Sequence, residues 1–273
     1  MGDRKVFRRL EEWQEKEGAS PGLVSFYRRL LDIQSGMEQR VGLPESGLSR
    51  EAINQRLEQG LPVVSSRDLK LDWRLVDDMF SQVSSLFAQH PELFGVPPKD
   101  FARIDSSRLR EILEAWLDEG RLSAAMLTPH FSEPLLTDMI QAALKPFFVG
   151  YSRALRGLVE QSRWRRGYCP ICQASPDFAY LEKERGARWL VCSRCDMEWL
   201  FQRLECPYCS NKDQSKLVYL TDDEGLYRLY MCERCKRYLK AIDLRHAKGE
   251  VTIALERLFT LSMDMQARDN GYS

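Results

Sequence analysis

Apolar residues recur at three- and four-residue spacings from the N-terminus to about residue 160, a pattern typical of amphipathic helices. The clearest example runs from Trp73 to Phe87, with Asp72 as its predicted N-cap. Its apolar positions are Leu75, Val76, Met79, Phe80, Val83, Leu86 and Phe87. Further helices are predicted near residues 4 to 16, 22 to 40, 49 to 58, 107 to 119 and 134 to 160. The breaks fall at Pro21-Gly22, Leu61-Pro62, Gly95-Val96-Pro97-Pro98 and Glu133-Pro134. The pattern therefore predicts an all-helical domain over residues 1–162.

The periodicity changes at the stretch RWRRGYCP, which begins at residue 163. An apolar run from Phe178 to Leu181, a charged turn ending in Gly186, and a second run from Arg188 to Val191 predict a β-hairpin. The same plan recurs with residues 216–220, the turn TDDEG and residues 226–231, followed by RYLKAID as a third strand. The second half of the chain therefore contains an internal repeat of two hairpin modules.

All eight cysteines lie in this repeat, and each belongs to a C-x-x-C pair at one end of a hairpin. Two such pairs facing each other across a hairpin can form a tetrahedral four-cysteine metal site. A module of about 40 residues buries little core, so a structural metal would supply the missing stability. In chain order, the predicted ligands are Cys169, Cys172, Cys192 and Cys195 at one ion, and Cys206, Cys209, Cys232 and Cys235 at the other.

The same cysteines allow other arrangements. Cys192 and Cys195 are separated from Cys206 and Cys209 by only ten residues, so the two middle pairs are an alternative ligand set. Redox thiols or disulfides are a second alternative. Zinc and iron both accept four thiolates, so the spacing does not distinguish them. The openings YCPIC and ECPYC resemble rubredoxin knuckles, although Gln173 and Ser210 stand where glycine often follows, which makes the turn less relaxed.

The net charge and the apolar content of the chain argue against nucleic acid and membranes as partners. The 273 residues are 44% hydrophobic, which is enough to bury a core, and the formal net charge is zero. Neutral bulk charge provides no long-range attraction to nucleic acid or to an anionic membrane. No stretch reaches the length of a membrane span, and the charged start MGDRKVFRRLEEWQEKEG does not resemble a secretory signal. We therefore expect a cytoplasmic protein without membrane insertion.

Candidates for catalysis are weak. His90 precedes Pro91 and is expected to end a helix, and His130 has no second ligand nearby in the sequence. The chain contains no P-loop, GxGxxG, GxSxG or HExxH motif. The pattern therefore predicts a protein that is not an enzyme.

Several stretches resemble the formate dehydrogenase accessory (FdhE) proteins. These are YCPICQASP, GARWLVCSRCDMEWLFQRLECPYC, CERCKRYLKAIDLR and the closing LERLFTLSMDMQARDNGY. The resemblance covers all four C-x-x-C pairs in order, and weaker similarity reaches RLEQGLPVVSS and the stretch from Leu122 to the first pair. One departure lies at the last helix, where the family commonly has two aspartates followed by Leu-Ala and this chain reads TIALER from Thr252.

The resemblance implies an α+β fold in three parts. A helical domain would be followed by two tandem rubredoxin-like or zinc-ribbon modules over residues 163–246, and by a C-terminal helix over residues 247–273 that packs back on the fold. It also implies a non-enzymatic maturation factor with two metal ions, iron or zinc. This factor would bind the catalytic subunit of a molybdenum- or tungsten-dependent formate dehydrogenase in the cytoplasm. A homodimer is left open.

Two other functions are compatible with four-cysteine modules. Iron held by four thiolates can carry electrons, so a rubredoxin-like redox protein is one alternative. A zinc-ribbon nucleic-acid binder is the other, although residues 163–243 contain 15 Lys or Arg against 12 Asp or Glu, without the clustered excess that tracking phosphates requires. Many aromatic residues lie in the same range, and any left exposed are the best candidates for a protein interface.

Overall fold

The computed structural model describes residues 2–44, 47–95, 105–119, 122 and 133–273. His130 and the predicted turn at residues 96–98 lie outside these ranges. Within them the chain forms two compact units. One contains residues 1–46 and 64–151, and the other contains residues 47–63 and 152–273. The sequence predicts three domains, over residues 1–162, 163–246 and 247–273. Compact units do not show which parts of the chain fold independently, so this division stays a prediction.

Helices build the first unit, as the apolar periodicity predicts. Those of its part of the chain are Gly2–Glu17 (α1), Pro21–Val41 (α2), Trp73–Ala88 (α4), Pro91–Phe94 (α5), Ser106–Glu119 (α6) and Glu133–Leu155 (α7, which ends in the second unit). Asp72 caps α4 as predicted, because its carboxylate accepts a hydrogen bond from the Arg74 backbone N–H at 3.0 Å. Helix α7 ends at Leu155, earlier than the predicted residue 160, and short 3₁₀ turns follow.

His90 has a structural role in this unit. Its Nδ1 lies 2.9 Å from Oε1 of Glu92, and its ring packs edge-on against Phe26 with 5.5 Å between ring centroids.

Among the helices that the structure describes, none combines the length and the apolar character needed to cross a bilayer.

The second unit contains a six-stranded sheet. Its strands are Pro176–Leu181 (β1), Arg188–Cys192 (β2), Glu198–Phe201 (β3), Leu217–Thr221 (β4), Tyr227–Cys232 (β5) and Tyr238–Asp243 (β6). The spatial order is β3-β2-β1-β6-β5-β4. Each cysteine module is therefore an antiparallel meander of three strands, and the two meanders join through the parallel pair β1 and β6. The α+β class and the two tandem modules are confirmed.

Two local expectations were incomplete. The sequence pattern predicted no strand in the ten residues between the middle C-x-x-C pairs. Instead Glu198–Phe201 is a strand, β3, whose residues Trp199 and Phe201 are buried. The single C-terminal helix is also two helices, Ile253–Phe259 (α8) and Leu261–Asp269 (α9), which meet at Thr260.

Residues 47–63 belong to the second unit although the pattern places them with the helical half. They carry the helix Arg50–Glu58 (α3). The Val63 backbone N–H donates to the Pro170 carbonyl at 2.8 Å, and the Tyr168 hydroxyl donates to the Gly60 carbonyl at 2.9 Å. Both bonds reach the residues around the first C-x-x-C pair, so this segment supports the first cysteine module.

Candidate metal centres

Each C-x-x-C pair sits in the same tight backbone turn. The N–H of the first cysteine donates to the carbonyl five residues later, at 2.9 Å for Cys169, Cys192 and Cys206 and at 3.0 Å for Cys232. A chain that turns back over five residues brings the two cysteine side chains to the same side. Four copies of one turn therefore present four pairs of sulfurs.

The residue after each pair adopts the left-handed backbone conformation. Its φ is 63° at Gln173, 54° at Asp196, 55° at Ser210 and 56° at Lys236, and these are the non-glycine residues with positive φ among those the structure describes. Side chains with a Cβ are strained in this region. The expectation drawn from Gln173 and Ser210, a turn less relaxed than with glycine, therefore extends to all four turns.

The first cluster lies between the two ends of the β1–β2 hairpin. The Sγ atoms of Cys169 and Cys195 are 3.5 Å apart, as are those of Cys172 and Cys192, and Cys172 is 3.6 Å from Cys195. All four side chains are buried. The Ile171 backbone N–H points at the Cys169 sulfur from 3.3 Å, and the Arg194 N–H points at the Cys192 sulfur from 3.4 Å.

The second cluster repeats this arrangement at the β4–β5 hairpin but is more open. The Cys206 and Cys235 sulfurs are 3.7 Å apart, as are those of Cys209 and Cys232. Cys206 and Cys232 are buried, whereas Cys209 and Cys235 are partly exposed. Solvent therefore reaches one side of the second cluster and is excluded from the first.

Both clusters fit one tetrahedral metal ion. Within each, the four sulfurs lie within 4.8 Å of one another. A metal–sulfur bond of about 2.3 Å implies tetrahedral sulfur separations of about 3.8 Å, close to the observed 3.5–3.7 Å. These separations are far longer than a disulfide bond of about 2.05 Å. The sulfurs group in chain order, so the alternative set drawn from the two middle pairs does not form.

Burial disfavours thiolates in the absence of a cation. It raises the pKa of the Cys169 and Cys195 thiols well above the usual range. A bound cation supplies the opposite charge that four neighbouring thiolates require, and its binding releases their protons. The donor set therefore suits a thiolate-binding metal ion.

Arg188 lies beside the second cluster although it belongs to the first module. It is 2% exposed, and its guanidinium donates to the carbonyls of Gln202 and Glu205, the latter adjacent to Cys206. The rings of Phe201 and Tyr230 lie 5.3 and 5.6 Å from the guanidinium carbon. Burial lowers the pKa of Arg188 to about 10. This buried cation therefore fixes the segment that enters the second cluster.

Arg257 of α8 ties the C-terminal helices to the first cluster. Its guanidinium bonds to the carboxylates of Asp177 and Asp196 and donates to the Cys192 carbonyl at 2.8 Å. Burial by itself lowers the pKa of Arg257. The negative charges of the two aspartates have the larger effect, so the net result is a raised pKa. Arg257 lies in the stretch where the sequence departs from the family pattern, so that stretch has a structural role in this chain.

Lys240 makes the corresponding contact at β6. Its Nζ donates to the carbonyls of Arg257 at 3.0 Å and Thr260 at 3.4 Å, at the end of α8, and to the Asp264 carboxylate at 2.5 Å. A cation at the carboxyl end of a helix is favourable because the aligned peptide dipoles place partial negative charge there. The break between α8 and α9 is therefore closed by a buried lysine.

The sequence reasoning missed Arg188, Arg257 and Lys240, which surround the clusters. No spacing rule identifies them, because their partners lie up to 80 residues away, as Asp177 does from Arg257. The available signal was charge inside apolar strands: Arg188 opens the run RWLV and Lys240 lies inside YLKAI, where a lone cation predicts a buried partner.

Comparisons with known proteins agree with these features. The family model "FdhE, central domain" matches residues 168–203, which contain the first cluster. An FdhE homologue of Aquifex aeolicus is 26% identical over 270 residues, covering 97% of this chain and 90% of the relative. An FdhE homologue of Pseudomonas aeruginosa is 30% identical over 201 residues, covering 66% of this chain and 61% of the relative.

The crystal structure of the FdhE protein from Pseudomonas aeruginosa has the same fold. It superposes with a TM-score of 0.60 at 23% identity, covering 99% of this chain and 93% of that one. The agreement extends over both the helical and the cysteine-bearing parts. Together with the matching motifs, these findings show that the chain is similar to FdhE proteins in sequence and in fold over nearly its whole length.

Proposed function

We propose that this protein is a formate dehydrogenase accessory factor that acts by binding and not by catalysis. It would bind the catalytic subunit of a molybdenum- or tungsten-dependent enzyme in the cytoplasm during that enzyme's maturation. The observation that carries the proposal is the pair of four-cysteine clusters on one continuous sheet, in a chain that is similar to an FdhE homologue over 97% of its length. In this role the clusters maintain the shape of a docking surface.

The mechanism follows from how the modules are held. Each cluster fixes the open end of one hairpin, and the parallel pair β1 and β6 makes the two hairpins a single sheet. We propose one ion, iron or zinc, in each cluster, with all eight cysteines as ligands. The bound metal supplies structural cross-linking, because a module of this size has too little core to hold the turns together alone.

A capture experiment tests this function. Affinity-tagged protein would be recovered from anaerobically grown source cells, with mass spectrometry of the captured proteins and metal analysis of the same sample. We expect enrichment of a formate dehydrogenase catalytic subunit with about two equivalents of metal. Co-purifying RNA, or no enrichment of that subunit, would contradict the proposal.

A matched pair of variants separates the role of the metal from general folding. Cys206→Ser should lose one equivalent of metal and the captured subunit, because one module loses its cross-link. Gln214→Ala lies in the same module at an exposed position and should retain both. A Cys206→Ser protein that kept two equivalents of metal would refute the ligand assignment.

A further inference from the structure

Strand β4 is an open edge of the sheet with apolar side chains on both faces. It is the last strand in the order β3-β2-β1-β6-β5-β4 and pairs with β5 alone. Val218 is 40% exposed, Tyr219 54% and Leu220 39%. Among the aromatic residues of residues 163–243, Tyr219 is the one that the structure leaves in the exposed class. Exposed apolar edges readily pair with another strand.

The direction of the β4 backbone groups follows from two hydrogen bonds at its ends. The Lys216 carbonyl accepts from the Glu233 N–H at 2.9 Å, and the Asp222 N–H donates to the Tyr227 carbonyl at 3.3 Å. Both groups point toward β5. Because backbone direction alternates along a strand, the backbone groups of Tyr219 and Thr221 point away from the sheet, as does the Leu217 carbonyl. These groups can receive a new strand.

The opposite edge of the same sheet is closed by a side chain. Gln161 runs along β3, where its Oε1 accepts from the Leu200 N–H at 3.1 Å and its Nε2 donates to the Glu198 carbonyl at 3.4 Å. Those are outward-facing backbone groups of an edge strand. No comparable cover lies on β4 within the part of the chain that the structure describes. The backbone groups of β3 are therefore already paired at this edge, whereas those of β4 can accept another strand.

The sequence around β4 is complementary to itself in antiparallel orientation. If Tyr219 lies opposite Tyr219 of another copy, Lys216 lies opposite Asp222, and Val218 lies opposite Leu220. Both ends of the pairing then bring opposite charges together, and the centre brings apolar residues together. A two-fold axis through Tyr219 makes each contact twice, as in an isologous dimer.

We propose that the occupant of this edge is a second copy of the chain, paired β4 to β4 about Tyr219. The two six-stranded sheets become one continuous sheet across the axis. Two short strands bury less surface than a standard interface, so the dimer is weak and depends on concentration. This inference names the surface for the dimer that the sequence left open, and it does not rest on the proposed client.

Charge reversal tests the register. Sedimentation velocity over a protein concentration series should show wild-type protein moving between the monomer mass of 31.8 kDa and twice that value. Lys216→Glu places two like charges opposite Asp222, and Asp222→Lys places them opposite Lys216. Each change should weaken self-association about tenfold or more, because two cross-strand attractions become repulsions.

Mixing provides the sharper readout. An equimolar mixture of Lys216→Glu and Asp222→Lys should recover the dimer, since both cross-strand pairs are again opposite in charge. Lys183→Glu, an exposed change in the β1–β2 turn, is the matched control and should associate as wild type does. Because the Asp222 carboxylate also accepts from the Tyr227 N–H at 3.1 Å, metal content and thermal stability of that variant are checked first.

Hydrogen exchange locates the contact. The peptide containing the Tyr219 and Thr221 amides should exchange more slowly as wild-type concentration rises, and that dependence should vanish in Lys216→Glu. Wild-type protein that stays monomeric throughout, variants that dimerise normally, or a mixture that fails to recover would each overturn the proposal. Protection of β4 that requires the client subunit would overturn it as well, because the occupant would then be a different protein.

Discussion

Arg257 bonds to the carboxylate of Asp196, which is the left-handed residue directly after Cys195. One ion pair therefore holds a strained turn of the first cluster against α8, a helix that begins 57 residues after that turn. The C-terminal helices thus help to position the first cysteine cluster without contributing a sulfur to it.

Arg257→Met should destabilise the second unit by about 2 kcal/mol, because Asp177 and Asp196 lose a partly buried partner. Chemical denaturation of the metal-loaded protein measures this change. Arg257→Lys should recover part of the loss, since a lysine retains the charge but not the planar fork. An exposed change of the same kind, Arg185→Met in the β1–β2 turn, should have little effect. Equal stability of the two methionine variants would contradict the role of the ion pair.

The two clusters should release metal at different rates. Because Cys209 and Cys235 are partly exposed and the first cluster is fully buried, a chelator in excess should remove metal in two phases, with the second cluster in the fast phase. Following release by absorbance of a metallochromic chelator checks this.

Variants assign the phases. Cys209→Ser should remove the fast phase and leave the slow one, whereas Cys172→Ser should remove the slow phase. A single phase for both clusters, or the reverse assignment, would show that solvent access does not govern release.

The left-handed turns make a paired prediction with opposite signs. Ser210→Gly should stabilise the protein by about 1 kcal/mol, because glycine adopts a φ of 55° without strain. Asp196→Gly relieves the same strain but removes the acceptor for Arg257, so the net effect should be destabilising. Thermal unfolding of the two variants and of wild type measures both effects. Higher thermal stability in both variants would mean that the ion pair between Arg257 and Asp196 contributes little.

The ion pairs of Asp243 predict that the folding stability of the protein depends on pH. Its buried carboxylate bonds to Arg245 at 2.6 Å and to Arg228 at 2.8 Å. Burial raises its pKa, but the hydrogen bonds from Arg245 and Arg228 outweigh this and lower the pKa to about 2. A lowered folded-state pKa gives stability that is present above the unfolded-state pKa of about 4 and is lost as the pH falls toward 2.

Asp243→Asn should therefore cost about 2 kcal/mol at neutral pH, with a constant difference from wild type between pH 8 and 5 that shrinks below pH 4. Denaturation series at each pH measure it. Asp223→Asn, exposed in the neighbouring β4–β5 turn, is the control and should differ little from wild type. A difference that already narrows between pH 8 and 6 would assign the linkage to another group.

The sequence by itself determined the local features of this protein. Apolar spacing placed the helices, including the Asp72 cap of α4, because a helical face repeats at short range along the chain. The C-x-x-C pairs and the hairpin patterns between them predicted both sulfur clusters, since a hairpin brings its own two ends together. Strand β3 escaped prediction because four residues carry too little alternation to distinguish a strand from a linker.

Only the tertiary structure decided what lies beside those clusters. The parallel pairing of β1 with β6, the contact of Val63 with Pro170, and the placement of Arg188 and Arg257 all join residues far apart in the sequence. Such contacts depend on packing between elements, which leaves no fixed spacing in the chain. The closed edge at Gln161 and the open edge at Tyr219 arise in the same way, because the strand order of the assembled sheet decides which strands lie at its ends.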